Sequence, residues 1–420
     1  NRVTDPYSIS LTTNSTRSYV GNLDDPRLKP AGWDAHPSPS LKAQVDLTIY
    51  ELHVRDFSIN DPSVPARHRG KYLAFDQPAG NGMKHLAALA RSGITDIHLL
   101  PVFDMATVPE TGCVTPWPKG GADSDSQQAM VVAVKDSDCY NWGYDPFHYT
   151  APEGSYASDA ADGAVRIREF RRMVQALHRT GLRVGMDVVY NHTAASGQRS
   201  KSVLDRIVPG YYQRLDAAGK VEMSTCCDNT ATENMMMEKL MSDSVMTWAR
   251  HYRIDSFRFD LMGHQPRAAM ERLRSALRQQ TGRDIQLIGE GWNFGEIADG
   301  RRFEQASQLS LNGSGIGTFS DRARDAVRGG GPADAGLDLF RRQGYLNGLV
   351  YDRNAYAPAE LPKEELQRSA DMVRVGLAGS LRSFPLQTFR GVVVPMSAID
   401  YNGQPAGYVA EPSEVVNYVE

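Results

Sequence analysis

From residue 46 onward, short apolar runs alternate with segments whose apolar residues recur at helical spacing. "LTIYELHVRDFS" reads as a first strand, and "GMKHLAALARSG" as a helix with a Gly stop. "ITDIHLLPV" reads as a second strand. The amphipathic "GAVRIREFRRMVQALHRTG" then leads into the strand "LRVGMDVVYNH". "MMMEKLMSDSVMTWARHY" leads in the same way into "RIDSFRFDLMG", and "PRAAMERLRSALRQQTG" into "IQLIGEGW". Such strand–helix alternation predicts a parallel sheet. Residues 1–45 differ, being rich in Pro, Asn, Asp and Ser with one alternating run, "YSISLTT". They read as the tail of an upstream β domain and a linker, with residues 46–420 as the catalytic unit.

Two α/β architectures compete for this pattern. A doubly wound sheet needs a glycine-rich phosphate turn that opens a helix. No G-x-G-x-x-G occurs, and the glycines of "LNGSGIGTF" have the wrong context. A closed barrel needs polar residues at the carboxyl ends of several strands. The sequence supplies them: His53 and Arg55, Asp187 with Asn191 and His192, Arg258 with Asp260, and Glu290. The expected fold is therefore a (β/α)8 TIM-type barrel.

Composition narrows the partners. A net charge of −4 gives no basic footprint, which excludes nucleic acid as a partner. No apolar run approaches the about 18 residues of a membrane span. "NRVTDPYSIS" lacks the features of a signal peptide, so the chain reads as a piece of a longer precursor. Cys113 and Cys139 bracket a polar insertion, and Cys226 and Cys227 are adjacent. None has the spacing of a zinc site. Free thiols are one reading. Two disulfides, and hence an exported protein, are the favoured one.

"RIDSFRFDLMG" places a cation and an anion in an apolar strand. Alternation puts Ser256, Arg258 and Asp260 on one face and Asp255, Phe257 and Phe259 on the other. In a barrel the Phe side packs on the helices and the charged side faces the lumen. Taken alone, the pair reads equally well as a core ion pair fixing strand register. Glu290 ends the next strand and would reach the same rim. Two facing carboxylates suit glycoside hydrolysis, one as nucleophile and one as acid/base. Arg258 would keep Asp260 ionised. Glu290, between Gly289, Gly291 and Trp292, is expected in the drier setting that an acid requires.

"DVVYNH" (187–192), "FRFD" (257–260) and "GEGW" (289–292) resemble, in that order, the first three conserved segments of the α-amylase superfamily. "YNWGYDP" (140–146) resembles the signature of type I pullulanases, the starch-debranching members. "RVTDPYS", "LPVFDMATV", "GIGTFSDRARDAVRGG" and "IDYNGQPAGY" extend the resemblance over nearly the whole chain. It implies Asp260 as nucleophile, Glu290 as acid/base and Arg258 as the holder of the nucleophile. It implies His192 and Tyr144 as contacts of the cleaved glucose, with Asp145 next to it in the motif and Trp292 beside the acid/base. Asp187 and Asn191 match supporting positions. The bland alternatives are core aromatics for Trp142 and Tyr144, and a metal pair for Asp187 and His192 that no third ligand completes.

The implied activity is cleavage of α-1,6-glucosidic links in pullulan, amylopectin and limit dextrins, with retention of configuration. The partner is an α-glucan, and the compartment is secreted, cell-surface or periplasmic in a bacterium. The chemistry needs no cofactor. Calcium is a structural candidate, since Asn191 matches a ligand position of many α-amylases and "GGADSDS" is acidic. A glycogen-debranching or α-1,4-acting relative, and a non-catalytic α-glucan-binding protein, are the alternatives. Two departures stand out. Ser256 replaces a usual Gly. The chain ends at "PSEVVNYVE", the expected seventh strand, just before the family's His-Asp pair that carries the third carboxylate. The expectation is an incomplete barrel of about seven strands that is weakly active and poorly stable on its own.

Overall fold

The structure is a computed structural model and describes residues 2–332, 334–359 and 361–418. Among these residues seven strands form one parallel sheet: β1 (Ile49–Leu52), β2 (Asp96–Leu99), β3 (Arg183–Val188), β4 (Ser256–Phe259), β5 (Gln286–Gly289), β6 (Gly317–Ser320) and β7 (Val415–Asn417). Each strand pairs with the next in chain order, so no crossover skips a neighbour. That is the order a barrel winds in. The sheet curls far enough that β1 and β7 flank one cavity of about 860 Å³, lined by Ile49 and Glu51 on one side and Val415 and Val416 on the other. The two strands are not bonded to each other, so the ring is open at this seam.

The helices return the chain between strands: α1 (Asn81–Arg91), α2 (Gly163–Arg179), α3 (Met235–His251), α4 (Arg267–Thr281), α5 (Asp321–Arg328) and α6 (Lys363–Leu377). Their apolar stripes explain why they dock. In α2, Ile167, Phe170, Val174 and Leu177 are buried at three- and four-residue spacing, and in α3 Met237, Met241, Val245 and Trp248 do the same. Asp162 caps α2 by accepting from the Ala164 N–H. Gly282 ends α4 in the left-handed conformation at φ +65°, where a side chain would be strained.

Some expected elements came out shorter. The run "LTIYELHVRDFS" is strand only over Ile49–Leu52, because the chain turns at once, the Phe57 N–H donating to the His53 carbonyl. "YSISLTT" yields a single bridge, Leu11 to Ser18. Residues of this N-terminal stretch lie on α2, where the buried Arg171 donates to the Leu23 and Leu28 carbonyls and Leu23, Leu28 and Trp33 join the main core. Between β5 and β6 the alternation breaks, and residues 290–316 carry a 3-10 segment (Gly295–Gly300) in place of an α-helix. A further apolar cluster of Val375, Leu386, Met396 and Ala406 forms around α6, apart from the barrel core.

Candidate active site

The β4 strand sorts its side chains as alternation requires. Phe257 and Phe259 are fully buried in the core that holds the helices. Ser256 turns inward, its Oγ 3.0 Å from His98 Nε2, and Arg258 lines the cavity. Gly185 of β3 lies opposite, where a Cβ would collide with His98 and Ser256. The hydroxyl at position 256 is thus accommodated by a hydrogen bond and by a neighbour without a side chain.

Arg258 is the hub of the site. Its Nη1 donates to Asp187 Oδ1 at 3.0 Å and to Asp260 Oδ1 at 3.1 Å, and its Nη2 lies 3.0 Å from Glu290 Oε1. One planar guanidinium therefore bridges three carboxylates from β3, β4 and β5, at their carboxyl ends. Burial pulls the Arg258 proton affinity down, but Asp187, Glu290, Tyr144 and Asp260 outweigh it and hold it well above the ordinary value. Burial pushes the Asp187 carboxyl up to about 8, against the pull of Arg258 and with the aid of the Asp260 charge. Tyr144 donates to Asp187 Oδ2 at 2.7 Å, and burial, then Asp187, keep its hydroxyl protonated.

The side chain of Asp260 is 12% exposed. Besides Arg258 it has a second donor, Asn191, whose Nδ2 gives to both the Asp260 carbonyl and Oδ2 at 2.8 Å. The oxygen of that amide meets His192 Nδ1 at 2.5 Å. Asn191, expected only as support, is a direct clamp on the anion, and both its polar side-chain atoms are committed. His192 Nε2 faces the Tyr144 carbonyl at 2.8 Å. The chain thus links "DVVYNH" to "YNWGYDP" across the rim.

Glu290 differs from expectation. Both its oxygens meet donors: Oε1 takes Arg258, and Oε2 accepts the Leu261 N–H at 2.9 Å. Leu261 presents that N–H from a left-handed backbone, φ 41°. In this arrangement Glu290 is an acceptor, and the dry pocket expected for it is instead a polar one. Gly263 allows the close approach, since its N–H donates to the Glu290 carbonyl at 2.9 Å and a Cβ there would strike the Trp292 carbonyl. The Trp292 ring lies under Arg324, 5.7 Å from its centroid. Asp145 Oδ2 is turned into its own loop, where it accepts from the Thr107 N–H at 2.8 Å and from the Asn141 amide at 3.3 Å. Trp142 and Tyr144 line the cavity with Glu51, His98 and Phe319.

Sequence reasoning missed a second layer beneath this rim. Arg214, fully buried, pairs with Glu233 and Glu296 at 2.9 Å and donates to the His264 carbonyl at 3.0 Å. Asn229 Nδ2 joins Glu296 at 2.9 Å. No motif marks these residues, because they come from separate segments of the chain. The two cysteine pairs are bonded as favoured, Cys113 to Cys139 and Cys226 to Cys227. The Cys113–Cys139 loop contains a helix, Ser126–Val134, that its composition did not foretell.

His98 carries a pH prediction. Burial, then Arg183 and Arg258, depress it to about 3. Between that value and its ordinary 6.5 the unfolded chain binds a proton that the folded chain does not. Stability should therefore rise with pH up to about 6.5 and level off above. His98→Gln should flatten the acid limb by about 1 kcal/mol per pH unit. Urea midpoints of both proteins from pH 4 to 7 check this, and parallel curves would reject it.

No family model matches the chain. It is 46% identical over 466 aligned positions to a pullulanase of Klebsiella aerogenes, covering 99% of this chain and 42% of that protein. It is 43% identical to the chloroplastic pullulanase 1 of Arabidopsis thaliana, over 99% of this chain and 44% of that one. Among solved structures, Klebsiella pneumoniae pullulanase complexed with maltotriose superposes with a TM-score of 0.93 at 44% identity, covering 99% of this chain and 43% of that one. The chain spans less than half the length of these relatives. By sequence along its whole length, and by a fold that carries the matched segments to one rim, the chain belongs to the pullulanases of the α-amylase superfamily.

Proposed function

We propose that this chain contributes the two reacting carboxylates of a retaining glycoside hydrolase that cleaves α-1,6 links in pullulan, amylopectin and limit dextrins. The observation that carries the reading is Arg258, which bridges Asp260 and Glu290 from adjacent strands. A separation that one guanidinium can bridge favours the close spacing, about 5–5.5 Å, of retaining enzymes. Asp260, oriented by Arg258 and Asn191, attacks the anomeric carbon while Glu290 protonates the leaving glycosidic oxygen. A glucosyl ester on Asp260 results. Glu290 then takes a proton from water, which attacks the same carbon and frees Asp260. Glu290 must be protonated first, so substrate entry has to part it from Arg258. Tyr144 and Trp142 offer flat apolar faces for the sugar, and His192 a polar edge. The steps run on side chains alone. The two disulfides support an exported protein.

Product analysis tests the reading. Pullulan should yield maltotriose, whereas panose-type products would mean α-1,4 cleavage and overturn it. The released sugar should appear first as the α anomer by NMR. Glu290→Gln should slow pullulan hydrolysis by about 10²–10⁴-fold. In kcat/KM, which reports the first step alone, the loss should be much smaller on an aryl glycoside whose leaving group needs no proton. Equal losses on both substrates would remove Glu290 from the acid role.

A further inference from the structure

Beside the proposed glucose contact lies a pair of sulfurs that the chemistry does not use. The short strand His192–Thr193 pairs antiparallel with Asp228–Asn229, in the register His192 to Asn229. This pairing brings Cys226 and Cys227, just before Asp228, up to His192. The Sγ atoms and a ring nitrogen of His192 all lie within 4.8 Å of one another. His192 is buried, Cys227 half-buried and Cys226 exposed, so the site is open to small solutes on one side.

We propose that reduction of the Cys226–Cys227 disulfide converts this corner into a site for one thiophilic d10 cation, zinc in the first instance, held by Cys226, Cys227 and His192. Three observations support it. The ligand set, two thiolates and an imidazole with a fourth position open, is one that Zn²⁺ takes. A tetrahedral site needs ligand atoms about 3.5–3.8 Å apart, inside the 4.8 Å span of the cluster. Cys226 is exposed and Cys227 half-buried, so a solvated ion reaches the sulfurs directly. Both ring nitrogens of His192 now face oxygens, Asn191 Oδ1 and the Tyr144 carbonyl, so coordination exchanges one of these contacts for the metal.

The chemistry balances. A dithiol or phosphine reductant gives two electrons to the Cys226–Cys227 bond, and two thiols form as the reductant is oxidised. The cation binds as both thiols release their protons, two per metal. In the oxidised protein the sulfurs are bonded to each other and the site is closed. Because His192 serves as a sugar contact in the function proposed above, metal capture would withdraw it from the substrate. That consequence rests on the proposed function, and the metal site itself does not.

The test uses Cd²⁺ alone as the probe, followed through the ultraviolet thiolate-to-cadmium band. After phosphine reduction the protein should bind one Cd²⁺ per chain, and before reduction none. The band should persist when Cys113 and Cys139 are both replaced by Ser, and should vanish in the Cys226→Ser, Cys227→Ser double variant. His192→Gln should keep the band but weaken Cd²⁺ binding by about tenfold or more. A band in the double variant, or none in the reduced parent, overturns the proposal. So does an unchanged affinity in His192→Gln. Pullulan hydrolysis is measured alongside. Cadmium binding without inhibition would count against the role of His192 in the sugar site and leave the metal site standing.

Discussion

Replacing Asp260 by Asn should lower pullulan hydrolysis on the order of 10⁴-fold or more while leaving the fold intact. Asn has the same shape and keeps an oxygen for Arg258 and Asn191, so the clamp around position 260 survives. On the proposed mechanism, what disappears is the carboxylate that attacks the anomeric carbon and the ester that would form on it. Asn191 and Arg258 each place a donor on this carboxylate, at 2.8 and 3.1 Å, which fixes its direction. Reducing-sugar release, with far-ultraviolet circular dichroism as the folding control, gives the result. Activity above about one per cent of the parent would exclude Asp260 as the nucleophile. Asp187→Asn is the contrasting variant. Asp187 is fully buried and faces Tyr144 and Arg258, so its loss should loosen the site and not remove a reacting atom.

The second large effect falls on stability. Arg258→Ala should destabilise the fold by about 3–5 kcal/mol, because Asp187, Asp260 and Glu290 would be left facing one another at a largely buried rim. Arg258→Lys should recover only part of this. A single ammonium lacks the planar fork that reaches Asp260 through one nitrogen and Glu290 through another. Chemical denaturation of the three proteins measures it. A midpoint for Arg258→Ala that gives less than 1 kcal/mol of loss would mean that the carboxylates protonate or rehydrate at little cost, and that Arg258 is not the hub.

The two effects differ in kind, and the difference explains why a cation sits in an apolar strand. A buried Arg between carboxylates seldom stabilises more than a well-packed apolar core would. Its placement makes sense when the carboxylates are needed for chemistry and must be held close together. Glu290 adds a constraint. Its contact with Arg258 and the Leu261 N–H favours an acceptor, whereas the proposed reaction needs a donor. Substrate entry would therefore have to change this carboxylate's partners before any bond is broken.

The sequence by itself determined which residues stand at the rim. The period of two in "IDSFRFD" separates Phe257 and Phe259 from Arg258. The runs ending in Asp187, Asp260 and Glu290 are local patterns that any parallel α/β fold would honour. The helical stripes of α2 and α3 are local in the same sense. Only the tertiary structure decided the partners. Asn191 clamps Asp260 across 69 positions of chain, Tyr144 reaches Asp187 across 43, and the backbone of Leu261 holds Glu290. It also decided the Arg214 layer, the approach of Cys226 and Cys227 to His192, and the open seam between β1 and β7. Periodicity reports which face a side chain takes, because that depends on the backbone within a few residues. Which atoms meet on that face depends on loops folded from distant parts of the chain, and no local period encodes their meeting.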